Sequence, residues 1–90
     1  MYLHLGNDIL VLTKDIVGIF DIENSTVARS TKGFLAAAEK AGRVVNVSAE
    51  LPKSFIVCRG ADGGQTVYIS QISPATLRKR AGFMDEISNI

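Results

Sequence analysis

Ninety residues, with ten Lys or Arg against nine Asp or Glu, a net charge of +1 and 47% hydrophobic residues, describe one small, near-neutral, apolar domain spanning residues 1–90. That charge balance excludes nucleic-acid binding driven by overall charge, and no stretch is long enough to cross a bilayer as a helix. So small a domain has little interior in which to hide this much apolar surface. Self-association is therefore expected, with strand or helix faces buried between copies.

Tyr2 to Leu5 predicts a short strand, Gly6-Asn7-Asp8 a turn, and Ile9 to Thr13 a second strand apolar on both faces. Lys14-Asp15 makes a polar corner before a third strand, Ile16 to Ile22. Strands so close in sequence most simply form a meander. Gly18 in mid-strand marks a bulge or a close backbone approach, or else a tolerated weak point. Glu23 to Thr26 breaks the strand pattern. Ser30 or Thr31 then caps a helix that runs to about Ala41, with Phe34, Leu35, Ala38 and Ala41 at helical spacing and Gly42 as its left-handed stop.

Arg43 to Val47 predicts a strand in which Val45 and Val47 alternate with Asn46 and Ser48. Pro52 restarts the chain, and Phe55 to Cys58 is a further strand. Gly60 to Gly64 forms a hairpin tip, and Thr66 to Ser70 returns antiparallel. Ser73-Pro74 opens a second helix, with serine as cap and proline in the first turn. Leu77 anchors that helix and Gly82 ends it. Phe83 and Met84 are expected to pack back on the body, with Asp85 to Ile90 as a tail. The sum is an α+β domain, small, antiparallel and β-rich, with two short helices.

The residues assemble no catalytic constellation. His4 is the single histidine and has no companion at metal-ligand or Cys/His spacing. Cys58 is the single cysteine, in the apolar run Phe55-Ile56-Val57-Cys58, and reads as a small buried hydrophobe. Asp8 and Asp15 are explained by turn formation. The glycine run at 60–64 lacks the lysine and the following helix of a phosphate loop. The expectation is a protein that is not an enzyme and takes no cofactor or metal. The start Met1-Tyr2-Leu3-His4-Leu5 lacks the basic flank and long apolar run of a signal peptide, so a cytoplasmic location is expected.

The basic residues carry the better lead. Arg78, Lys79 and Arg80 form the one run of three basic residues and would project from the second helix, with Leu77 and Ala81 anchoring it. Lys14 at a strand corner and Lys53 at a strand start would add phosphate contacts if they share a face. Such contacts release counterions and give salt-dependent affinity. Against this stands the plain reading of a solvated helix face. A closed ring would repeat the patch once per subunit and raise affinity through multivalency.

Taken together, Met1 to Gly6, Thr13 to Asp21, Pro52-Lys53-Ser54, Tyr68-Ile69-Ser70, and Thr76 to Met84 with Glu86-Ile87 resemble the extracellular matrix regulatory proteins of the RemA/RemB type, closest to the RemB branch. The resemblance covers nearly the whole chain. It implies a LytTR-like fold, a ring-shaped homo-oligomer and DNA binding along a basic rim, in a regulator of biofilm matrix genes. It also places Lys14 where the RemA branch has a functionally important arginine.

One departure qualifies what is carried over. The RemA branch has an arginine cluster before the strand equivalent to Phe55 to Cys58. Here the segment reads Ala49-Glu50-Leu51-Pro52-Lys53, in which Glu50 repels phosphate. Two readings follow. In the first, Lys14, Lys53, Arg78, Lys79 and Arg80 bind DNA through phosphates. In the second, the chain keeps the assembly and serves as a protein-interaction module without direct DNA binding.

Overall fold

The computed structural model describes residues 1–22 and 29–82, with the backbone alone for 29–32. The described residues form a small α+β fold of six strands in two sheets and two helices. In chain order these are β1 (Tyr2–Gly6), β2 (Ile9–Leu12), a single 3-10 turn (Thr13–Asp15), β3 (Ile16–Asp21), α1 (Arg29–Lys40), β4 (Val44–Asn46), β5 (Ser54–Arg59), β6 (Gln65–Ser70) and α2 (Pro74–Ala81).

The expected meander of the first three strands does not form. β1 and β2 make a hairpin of their own, and β3 leaves it to join a four-stranded sheet of order β3-β5-β6-β4. The 3-10 turn at Thr13–Asp15 redirects the chain between the two sheets. The reason lies in burial. β5 reads Ser54-Phe55-Ile56-Val57-Cys58 and is buried at every one of these positions, so it must be covered on both faces. Placing β3 beside β5 frees the β1–β2 hairpin to cover one of them. Pairing is antiparallel except for β4 with β6, which run parallel.

Alternation along β5 divides the core in two. Phe55 and Val57 face Val67 and the α1 residues Leu35 and Ala38. Ile56 and Cys58 face the other way, toward Leu3, Leu5 and Val11 of the hairpin and Leu77 and Ala81 of α2. The sheet is thus sandwiched between α1 and a layer made of the hairpin and α2.

Element ends follow their local chemistry. Asn7 and Asp8 adopt φ of 43° and 67°, a two-residue turn that these side chains tolerate. Ser73 accepts a hydrogen bond from the Thr76 amide (3.3 Å) at the start of α2, and Pro74 occupies its first turn. Gly42 and Gly82 take φ of 72° and 76° and end α1 and α2. The Arg43 amide closes back on Ala38 O at 2.9 Å. α1 begins at Arg29, so Ser30 and Thr31 lie inside its range and not ahead of it. The expectations for residues 23–26 and for 83–90 fall outside the described residues.

The candidate nucleic-acid interface

α2 carries the basic run and is held by its apolar side. Leu77 is fully buried and Ala81 nearly so, four residues apart on one helix face, and the helix packs against β1 and β3. That anchorage orients the three cations differently. The Arg78 guanidinium turns inward and donates to Ile19 O at 2.6 Å. β3 is an edge strand whose outward carbonyls have no strand partner, so Arg78 satisfies one of them and clasps α2 to the sheet. Lys79 and Arg80 are exposed. Arg80 reaches back only loosely, to His4 O at 3.4 Å. The expectation that all three project outward therefore holds for Lys79 and Arg80 and not for Arg78.

Lys14 and Lys53 are both exposed, but they stand at opposite ends of β3. Lys14 sits in the 3-10 turn before Ile16, which pairs with Cys58. Lys53 lies beside the far end, where its carbonyl accepts from Ile22 N (3.1 Å) and its amide donates to Ser70 O (2.9 Å). Six strand residues separate them, about 20 Å at 3.3 Å per residue. One chain does not bring them together.

The loop ahead of Lys53 is shaped by its own side chains. The Glu50 amide donates to Ser48 Oγ (3.0 Å), and that hydroxyl donates in turn to the Glu50 carboxylate (3.4 Å). Leu51, next in the loop, is 78% exposed.

At the opposite end of the sheet, Tyr2, Leu10, Leu12, Cys58 and Tyr68 line a groove of about 280 Å³ with Asp15 and Arg59 also in its wall. Burial pushes the Cys58 thiol up to about 11, with the Asp15 carboxylate adding to the rise. Burial raises the Tyr68 hydroxyl as well, with Cys58 contributing. Both groups stay neutral at ordinary pH, so Cys58 is no nucleophile. Sequence reasoning passed over Arg59 and the exposed Leu51. The only signal for either was position, a charge at a strand end and an apolar residue between Glu50 and Pro52.

Among the described residues no His, Cys, Asp and Glu gather as metal ligands, and no helix is long and apolar enough to cross a membrane.

The fold and site define a small α+β domain whose described residues display an exposed basic helix face and an open apolar groove. The profile of the RemA-like family, described as extracellular matrix regulatory protein A-like, matches residues 2–81. The chain is also 40% identical to extracellular matrix regulatory protein B of Bacillus subtilis (strain 168), over 99% of this chain and 100% of that protein. The chain belongs to the RemA-like family of extracellular matrix regulatory proteins.

Proposed function

We propose that this protein is a DNA-binding transcriptional regulator of extracellular matrix genes, active in the cytoplasm as a ring-forming homo-oligomer that grips DNA mainly through phosphate contacts. The observation that carries this reading is the exposure of Lys79 and Arg80 on a helix locked to the body by Leu77, Ala81 and Arg78. A rigid display of cations loses little entropy on meeting a phosphate backbone. Lys14 and Lys53 extend the same electrostatic role. With a net charge of only +1 per chain, affinity depends on repeating the patch through assembly.

The test is duplex binding titrated against salt. Each phosphate contact contributes roughly 0.9 to the slope of log affinity on log salt. Lys79→Ala and Arg80→Ala are expected to lower the slope by about one each while thermal stability holds. Arg78→Ala is expected to behave in the opposite way. It removes a charged hydrogen bond, costs about 1–2 kcal/mol of stability, and leaves the slope nearly unchanged. An intact oligomer that ignores DNA at low salt would sink this reading. It would favour the second, a protein-interaction module, for which the exposed Glu50 and Leu51 already speak.

A further inference from the structure

The groove beside the hairpin carries chemistry that phosphate binding leaves unused. Its floor comes from the sheet. Cys58 pairs with Thr66, and Ile56 with Tyr68, across β5 and β6. Cys58, Thr66 and Tyr68 therefore share the face that looks toward the hairpin. Tyr2, Leu10 and Leu12 of the hairpin line the same space, with Asp15 of the 3-10 turn at its side. The alternation of β5 sends the exposed Arg59 side chain to the opposite face. Among the described residues the Asp15 carboxylate makes no hydrogen bond or ion pair, and the Thr66 and Tyr68 hydroxyls make no hydrogen bond. Three free acceptors, one of them charged, thus line one apolar space. The negative field of Asp15 reaches the floor, where it adds to the rise of the Cys58 thiol.

We propose that this groove binds a small free primary amine in its protonated form, with an alkyl or aromatic body. Such an ammonium brings one charge and three donors. Asp15 supplies the counter-charge, and the Thr66 and Tyr68 hydroxyls accept the remaining hydrogen bonds. The rings of Tyr2 and Tyr68 add the attraction of an aromatic face for a cation. Leu10 and Leu12 cover the apolar body. An anion would meet the unpaired carboxylate, and a wholly apolar ligand would strip water from Asp15 without replacing it. The volume of about 280 Å³ lies at the small end of ligand pockets, roughly 300–1,000 Å³. That suits a free molecule better than a segment of another protein. Binding needs neither DNA nor a second copy of the chain.

The experiment is an amide NMR titration of the full chain at neutral pH without DNA, so its outcome is independent of whether DNA binds. Phenethylamine is the probe and phenylethanol its uncharged counterpart. For so small a probe a dissociation constant on the order of 1 mM is expected, with shifts centred on Asp15, Cys58, Thr66 and Tyr68. Phenylethanol is expected to bind about tenfold more weakly. Asp15→Asn should weaken the amine by about tenfold and leave the alcohol unchanged, a split that a merely structural role for Asp15 would not produce. Tyr68→Phe keeps the ring, loses the acceptor, and should weaken the amine about threefold. If Asp15→Asn proves unfolded by circular dichroism, Tyr2→Ala takes its place, at a position 65% exposed, with about a threefold loss expected. The proposal is overturned if the amine shifts no groove residue at roughly ten times the expected constant, or binds the wild type and these variants alike. Equal affinity for the alcohol overturns it too. So does tighter binding of N-acetyl-lysine amide, which would give the groove to a lysine of a partner protein.

Discussion

The two ends of the central sheet are built by opposite means. Where β5 begins and β6 ends, the β1–β2 hairpin is fastened to the sheet by polar bonds. The fully buried Ser70 hydroxyl donates to Leu5 O at 2.8 Å and accepts from Ile72 N at 3.0 Å. The equally buried Ser54 donates to Ile72 O at 2.7 Å, and Asn7 Nδ2 reaches Val47 O at 2.9 Å. At the other end Tyr2, Leu10, Cys58 and Tyr68 meet around an open groove. Directional bonds fix the register of hairpin on sheet at the first end, and apolar surface is left unfilled at the second. Directional polar bonds are concentrated at one end and open apolar surface at the other.

Breaking the polar end should have the largest effect. Ser70→Ala leaves Leu5 O and Ile72 N without their partner in a buried site, where an unmade bond costs about 1–3 kcal/mol. Urea denaturation is expected to show a loss of about 2–4 kcal/mol, the sum of two such groups partly relaxed. Ser54→Ala breaks one bond and should cost less. Equal, small losses for both would mean that the serines only fill space.

The open end is probed by alkali. The Cys58 thiol is raised from its ordinary 9.0 to about 11, and Tyr68 is raised too. An acid that folding holds in its neutral form leaves stability intact below its unfolded pKa. It withdraws stability as pH climbs from there toward the folded value. Denaturant midpoints should therefore be flat to about pH 9 and fall toward pH 11. Cys58→Ala should fall less steeply over that interval, and an identical fall would exclude the thiol as a cause.

Much of this was legible in the residues. Local signals placed nearly every described element, because Ser73-Pro74, Gly42, Gly82 and the 60–64 glycine run act through backbone chemistry at their own positions. The partner of β3 was not legible. Ile16 to Asp21 pairs equally well with a neighbour in sequence or with β5, and the choice is settled by covering both faces of Phe55 to Cys58, a requirement spread over the whole chain. The candidate site divided the same way. The basic run was visible, but the inward turn of Arg78 depends on an edge carbonyl of β3, 59 residues away in sequence.

The smallest expected effect concerns Gly18, for which bulge and close approach turn out to hold together. The β3–β5 register shifts between Ile16 and Gly18, and a methyl group at Gly18 would stand 2.5 Å from Cζ of Phe20. Phe20 lies over that glycine because its ring stacks on Phe55, with centroids 5.0 Å apart at 20°. Gly18→Ala must push the ring aside, giving up an aromatic pair worth about 0.5–1.5 kcal/mol. Against this, alanine is better than glycine in a strand by roughly 0.5–1 kcal/mol. The net change should be a loss of about 1 kcal/mol or less, a weak result by itself. A double-mutant cycle sharpens it. In a Phe20→Ala background the clash is gone and only the backbone gain remains, so Gly18→Ala should then stabilise, and the two substitutions should couple by about 1 kcal/mol. Simple additivity would mean that the ring yields freely, leaving the bulge as the sole reason for glycine at this position.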